Sequence, residues 1–457
     1  MPWEYTLQMA AEILGTEVSG ASDADERNTF NSVSTDTRTL EPGALFFALE
    51  GEQYDAQQFV PQAFEKGAVG VVSRQASDSG PGLVVPDPLQ ALQKIAAYHR
   101  RQCPARVIAL TGSCGKTTTK DLIAAVLESR YRVVKTHGNL NNEIGCPLSL
   151  MQLQPDTEYA IIEMGANHPG EIRRLCQLAR PDEALITLVA PAHLEGFGSI
   201  ADVARAKGEI VEALGPDGLF YVNTDNSWCV EVAATHPGPQ VRVGKQGDVA
   251  LKSVGFDEDG LMRLDIEPIG VLRLPLRIPA HSLNVLFAVA IGMQHGITDF
   301  QTPLTSASAN PSRGKFHRLG PLHLLDDSYN ANPASMEAAL EALQQLAPTG
   351  KKIAALGAML ELGETAPQLH RAVGETAARL GVDCLFARGP HACDMIEGAL
   401  AAGAPHAEVI EDHEAIAHAI YSLASPGDTL LLKGSRGMRM EAIAPYLASL
   451  YDNTTQA

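Results

Sequence analysis

The segment Val107-Ile-Ala-Leu-Thr-Gly-Ser-Cys-Gly-Lys-Thr-Thr118 runs an apolar stretch straight into a glycine-rich turn, a lysine and two threonines. The chemistry open to that order of residues is the holding of a polyphosphate. Gly112 and Gly115 let the chain curl so that the N–H groups along Ser113 and Cys114 point inward, and the following helix adds the partial positive charge of its N-terminus. Lys116 is placed to reach the β- and γ-phosphates and the Thr117 hydroxyl to ligate Mg²⁺, with Thr118 next in line. The spacing departs from the strict Walker form, because Leu110 stands six residues before Lys116 where a glycine would be.

Further clusters sit where apolar runs end. Ile162-Glu163-Met-Gly-Ala-Asn-His168 follows one run and Ala192-His193-Leu-Glu-Gly-Phe-Gly198 the next. A hard divalent cation takes oxygen ligands and at times an imidazole, so Glu163 is the first candidate ligand and His193 the second. Alone, each reads as a solvated loop residue; beside a phosphate loop on a neighbouring strand, both read as metal ligands. Lys207, in Ala204-Arg-Ala-Lys-Gly-Glu-Ile-Val211, lies on the helix after His193. A single helical lysine is ordinarily a solvated surface charge, and the sequence alone gives it no other role. Leu325-Asp-Asp-Ser-Tyr-Asn-Ala-Asn-Pro333 gathers polar side chains ahead of a helix, as either an N-cap turn or a nucleotide clamp.

These residues need strands and helices to position them, and the chain supplies the alternation. Leu122, Ile123, Val126 and Leu127 fall on one face of a helix predicted over 116–129. Strands are predicted at 106–110, 159–164, 184–190 and 218–222, with helices at 169–179 and 200–214 between them. Short apolar strands between helices make a parallel sheet covered on both faces. Period-two alternation over 249–276 predicts an antiparallel excursion before a helix at 282–294. The polar run Ser306–Arg313 reads as a linker, after which the alternation resumes to the end as a small Rossmann-like unit. Ahead of the phosphate loop, an apolar run at 44–49, a helix near 57–66, a loop at 76–88 and a helix at 89–102 end at Cys103-Pro104. The expectation is an α/β chain of three domains, 1–102, 103–312 and 313–457, the middle one a P-loop ATPase-like parallel sheet.

A length of 457 residues suits about three domains of roughly 150 residues. The net charge of −19 disfavours a nucleic-acid partner, so any polyanionic substrate must be held by local cradles. Seven scattered cysteines without a CxxC spacing read as reduced thiols. The start has no signal-peptide pattern and no apolar run reaches membrane-spanning length. A cytoplasmic monomer with no membrane insertion is expected.

Taken together the motifs resemble the Mur ligase family. The Thr111–Thr118 loop is similar to the shortened phosphate loop of Mur and folylpolyglutamate ligases. Gly138-Asn-Leu-Asn-Asn-Glu-Ile-Gly-Cys-Pro147, Glu163–Ile172, His193–Gly198, Asp326–Pro333, Met359-Leu-Glu-Leu-Gly-Glu364 and Lys433–Met440 resemble the branch that adds D-Ala-D-Ala. Ser34-Thr-Asp-Thr-Arg38 with Phe46–Gly51 resembles the family's uridine-nucleotide domain. The resemblance implies ATP-dependent amide formation: the carboxylate of a UDP-N-acetylmuramoyl-tripeptide becomes an acyl phosphate, which the amine of D-Ala-D-Ala attacks. It further implies two Mg²⁺ sites, with Thr117 and Glu163 at one and His193 at the other. Lys207 would react with CO₂ to a carbamate that serves as an anionic ligand. Asn284 and Asp327 would contact the adenosine, and Arg313 or Lys315 the phosphates. Ser34, Thr35 and Arg38 would lie near the uridine diphosphate, Asn139, Asn141 and Asn142 near the muramoyl-peptide, and Asn330 and Asn332 among the substrate contacts.

Three positions depart from the family pattern: Leu188 where relatives carry Asn, Ser282 in a shortened His281-Ser-Leu-Asn284, and Ala358 where they carry a carboxylate. Two other readings share part of the pattern. One is a sister ligase that adds the third amino acid to the peptide; the other is a non-catalytic nucleotide-binding regulator on the same scaffold.

Overall fold

Strands with aliphatic residues on both faces must be buried on both faces, and this chain interleaves three sets of them with amphipathic helices. The computed structural model, which describes residues 3–20, 28–51, 55–309, 314–347 and 349–455, assembles them into three large sheets. The amino-terminal sheet runs Val18–Ser19, Gly82–Val84, Gly70–Ser73, Ala44–Phe47, Ser32–Ser34, parallel throughout except for the first pair. The helix Pro88–Gln102 follows. Asp87 caps it by accepting from the Leu89 and Gln90 N–H groups, and Pro88 fills a first-turn position that needs no donor. In its last turn the buried His99 bonds Tyr5 Oη at 2.9 Å and the Leu153 carbonyl at 3.0 Å. One apolar cluster continues from Trp3 to Ala233, so the amino-terminal sheet and one face of the central sheet share a core.

The central sheet has nine strands, in the order Gly270–Leu274, Met262–Glu267, Val249–Phe256, Gln240–Gly244, Leu219–Asn223, Glu183–Ile186, Arg106–Thr111, Tyr159–Glu163, Val133–Lys135. The first two join by antiparallel pairing, as the alternation over 249–276 predicts, and the rest are parallel. Arg106–Thr111 has Tyr159–Glu163 on one side and Glu183–Ile186 on the other. Chain order reverses there, so the loops leaving its carboxyl end diverge and open the crevice in which α/β sheets bind ligands.

The carboxyl-terminal sheet runs Lys315–Leu319, Leu322–Asp327, Thr429–Lys433, Lys352–Gly357, Cys384–Arg388, His406–Val409, antiparallel only at the first pair. Its last strand inserts beside its second, which sets Asp327 opposite Lys433 at the two carboxyl ends. Among the described residues no helix is long and apolar enough to cross a membrane.

Several predicted bounds shift for physical reasons. The strand predicted at 184–190 ends at Ile186, because residues 187–190 turn aside to brace the phosphate loop. The helix predicted at 169–179 starts at Glu171, after Gly170 takes the cap position with φ +86°. The predicted linker Ser306–Arg313 is overturned in its first part, where the helix Gln301–Ala309 continues. Residues 310–313, Arg313 included, lie outside the described residues.

Candidate active site

The phosphate loop leaves the strand Arg106–Thr111 and enters the helix Lys116–Glu128. Gly112 has φ +149°, and a Cβ there would stand 1.8 Å from Thr187 Oγ1, so no other residue fits. The Thr187 hydroxyl donates to the Cys114 carbonyl at 2.5 Å, the Ser113 N–H donates to the Leu188 carbonyl at 2.8 Å, and the Ser113 hydroxyl donates to the Ala190 carbonyl at 2.8 Å. The neighbouring strand's exit thus holds the loop, and Leu110 is a buried strand residue. That is why a shorter loop suffices without the usual first glycine. Gly115 caps the helix at φ +82°, and Lys116 Nζ donates to the Gly112 carbonyl at 2.7 Å.

Glu163 ends the strand beside the loop and is 1% exposed. Its Oε1 accepts from Asn141 Nδ2 at 2.8 Å and from the Thr117 hydroxyl at 3.3 Å. Its Oε2 is buried with no hydrogen-bond partner among the described residues, and Lys120 Nζ stands 3.9 Å away. A buried carboxylate oxygen left over beside a threonine hydroxyl is a donor set that suits a hard cation. Among the described residues no three His, Cys, Asp or Glu side chains close around one point.

Lys207 is not the surface charge that its helical setting suggests. It is 2% exposed on the helix Ile200–Glu212, with Nζ 6.0 Å from the centre of the Phe197 ring. Burial holds its ammonium well below the usual lysine range, and the positive charge of Lys116 adds to the effect. His193 follows the next strand's exit at φ +53° and pairs through Nδ1 with the Glu361 carboxylate. Burial lowers the imidazole pKa; Glu361 opposes the shift, while Lys116 and Lys207 reinforce it.

The carboxyl-terminal unit closes the other side. Asn332 caps the helix Pro333–Leu346 through Oδ1 to the Ser335 N–H, and its Nδ2 donates to the Ser113 carbonyl at 3.1 Å. Asn332 is thus the N-cap of its helix, and its amide also holds the backbone of the phosphate loop. Asp327 accepts from Lys433, which is 2% exposed and also donates to the Asn330 carbonyl at 3.0 Å. Asn284 sits behind the loop, accepting from the Thr119 hydroxyl at 3.1 Å.

Between these faces lies a cavity of about 730 Å³, lined by Ser113–Lys116, Glu163, His193, Asn284, Asp327, Asn330, Asn332 and Glu361 among others. Asn139, Asn141 and Asn142 also reach it. Asn142 is committed to capping, its Oδ1 accepting from the Ile144 and Gly145 N–H groups. Ser34, Thr35 and Arg38 are not in the lining; Arg38 lies exposed, paired with Asp36 at 2.6 Å. Lys315 is likewise outside it, exposed on an edge strand. Sequence reasoning missed Glu361 and Lys433, although both lie in segments whose wording matched the family.

Comparison with known proteins places the same segments in order. The Mur ligase family catalytic domain matches residues 29–100, the Mur ligase middle domain 110–292, and the Mur ligase glutamate ligase domain 313–436. The UDP-N-acetylmuramoyl-tripeptide–D-alanyl-D-alanine ligase of Escherichia coli (strain K12) is 37% identical, over 98% of this chain and 99% of its own. A crystal structure of MurF from Acinetobacter baumannii superposes with a TM-score of 0.89 at 31% identity, covering 98% of this chain and 100% of that one. MurF from Thermotoga maritima in complex with ADP gives 0.83 at 26% identity, covering 95% and 100%.

Proposed function

Because the chain belongs to the Mur ligase family, we infer that its cavity is where ATP drives the joining of D-alanyl-D-alanine to UDP-N-acetylmuramoyl-tripeptide. The product is the UDP-N-acetylmuramoyl-pentapeptide used in peptidoglycan synthesis. The observation that carries the reading is the phosphate loop gripped from across the cavity by Asn332, in a chain that matches ligases of this name along nearly its whole length.

The tripeptide carboxylate attacks the γ-phosphorus and ADP leaves, giving an acyl phosphate. The dipeptide amine then adds to the acyl carbon, the carbon–oxygen bond to phosphate breaks, the amine's proton passes to the departing phosphate or to solvent, and phosphate leaves. No protein nucleophile takes part, so the protein's work is to align and neutralise crowded anions. We propose that Lys116 and the N–H groups of Cys114–Thr118 hold the β- and γ-phosphates, Gly112 and Ser113 shaping the loop, the Ser113 N–H being already taken by the Leu188 carbonyl. Asn284 and Asp327 are proposed to face the adenosine, and Asn139, Asn141, Asn330 and Asn332 the peptide substrates. Ser34, Thr35 and Arg38 are proposed to hold the uridine diphosphate on the amino-terminal unit, outside the cavity.

We also propose two cation sites, one at Thr117 and Glu163 and one at His193 and Lys207. Mg²⁺ bound there would neutralise phosphate charge. For Lys207 the proposed state is a carbamate: the neutral amine adds to CO₂, a nitrogen–carbon bond forms, and one proton leaves to solvent. Its burial and the lowered affinity of its amine for protons support this reading. The division at 1–102, 103–312 and 313–457 is proposed as the working domain scheme.

The test is purified protein with ATP, Mg²⁺, a UDP-muramoyl-tripeptide and D-Ala-D-Ala, with products read by mass. A mass gain of the dipeptide less water is expected. Addition of a free diamino acid to the dipeptide precursor would instead assign the sister activity, and no ATP turnover with any acceptor would assign a regulator.

A further inference from the structure

His193 and Glu361 meet across the gap between the central and carboxyl-terminal sheets, and both do so from backbone that L-residues rarely adopt. His193 has φ +53° and Glu361 φ +64°. Among the described residues only five non-glycines have positive φ, and these two are each other's side-chain partners. Such conformations persist where the surroundings over-determine them. Here the Met359 N–H donates to His370 Nε2 at 2.9 Å, the Leu360 N–H to Ser435 Oγ at 2.9 Å, and the Glu195 N–H to the Glu361 carbonyl at 3.1 Å. His370 is fully buried, with Nδ1 2.6 Å from the Ala366 carbonyl. Two pinned loops, one from each unit, thus bring a carboxylate oxygen onto one chosen nitrogen of one imidazole.

An ionised carboxylate can only accept, so the proton of a neutral His193 ring lies on Nδ1. Nε2 then carries the lone pair, which is the form in which imidazole binds a cation. Metal-binding histidines recurrently donate their second nitrogen to a carboxylate that fixes tautomer and ring direction. We propose that Glu361 is a positioning residue for the second cation site. Carried by the carboxyl-terminal unit, it aims Nε2 of His193, so the site is complete only while the two units are apposed. The proposal rests on the reading of His193 as a ligand.

The test titrates Mn²⁺ into the full-length protein with a non-hydrolysable ATP analogue and counts bound ions by electron paramagnetic resonance. Glu361→Gln, which keeps the size and one acceptor but removes the charge, is expected to weaken one of two Mn²⁺ sites about 10- to 100-fold and leave the other unchanged. His193→Ala should abolish that same site, and the double variant should match His193→Ala. Glu361→Asp, which keeps the charge on a shorter reach, should recover part of the affinity, as a packing role would not. If His193→Ala loses a site while Glu361→Gln binds both ions like the parent, the positioning role is overturned and the ligand assignment stands. If His193→Ala keeps both sites, or the parent binds a single ion, the ligand assignment falls and the positioning role with it.

Discussion

Asn332 and Ser113 are joined by a hydrogen bond of 3.1 Å between side-chain amide and loop carbonyl, although 219 residues separate them in the chain. The same amide caps a helix through its oxygen, so one residue both starts the helix Pro333–Leu346 and grips the phosphate loop. The carboxyl-terminal unit therefore senses the loop through an atom whose position the helix cap already fixes.

Replacing Asn332 by Asp separates the two roles. Aspartate caps helices as well as asparagine does, but it offers no donor to the Ser113 carbonyl and sets a negative oxygen near it. Asn332→Asp should keep the cap yet unfold below the parent, because its charge is buried and faces a carbonyl oxygen, while the KM for ATP rises. Asn332→Ala should lose the cap as well, at about 1 kcal/mol of stability. Thermal unfolding and steady-state kinetics on both variants check this, and equal KM values for parent and Asn332→Asp would count against the clamp.

Lys116→Ala should abolish ligation and leave the fold intact. Its ammonium returns to the Gly112 carbonyl at the cavity wall and is not part of any apolar core. Loss of such a clamp on transferring phosphate costs on the order of several kcal/mol of transition-state stabilisation. Phosphate release measured beside circular dichroism decides it, since ATP turnover near the parent rate would remove Lys116 from the nucleotide site.

Glu163→Gln should raise the Mg²⁺ concentration needed for half-maximal activity and spare the KM for D-Ala-D-Ala. The substitution keeps the side chain's size and the contact with Asn141, while removing the negative charge from the oxygen that has no hydrogen-bond partner. A Mg²⁺ titration at saturating ATP reads the change, and an unshifted midpoint would argue that the carboxylate serves only to hold Asn141 and Thr117.

What could be read from the chain was local. The phosphate loop follows a strand, Glu163 ends one, and His193 lies in the loop that leaves a third; strand exits beside a reversal of chain order are where such sheets place ligands. What could not be read was mutual. Asn332 with Ser113 and His193 with Glu361 are pairs made only when two units face one another, and no spacing within either segment encodes the other. Lys207 lies between these cases. Val203, Lys207 and Ile210 recur at helical spacing and all are buried, so the apolar stripe already ran through the lysine. The prior that lysines are solvated concealed the signal.

Lys207 also gives a test in which burial and function leave separate marks. Its amine has a depressed affinity for protons when folded and an ordinary one, near pKa ~10.4, when unfolded. Below the folded value both states carry the proton, and the full cost of burying the charge is present. Between the two values the unfolded chain binds more protons, so stability rises with pH and levels off above the unfolded value. Lys207→Met should be more stable than the parent at neutral pH in CO₂-free buffer and should lose that alkaline rise, which denaturant unfolding across pH can measure. Activity should respond in the opposite sense. If the residue works as a carbamate, the parent should slow in CO₂-depleted buffer and recover with bicarbonate. Lys207→Ala should be inactive and partly rescued by short-chain carboxylates. Lys207→Arg should stay inactive, because a guanidinium keeps its proton and cannot become an anion. A Lys207→Arg enzyme of parental activity would leave the buried amine as a structural residue and end the carbamate reading.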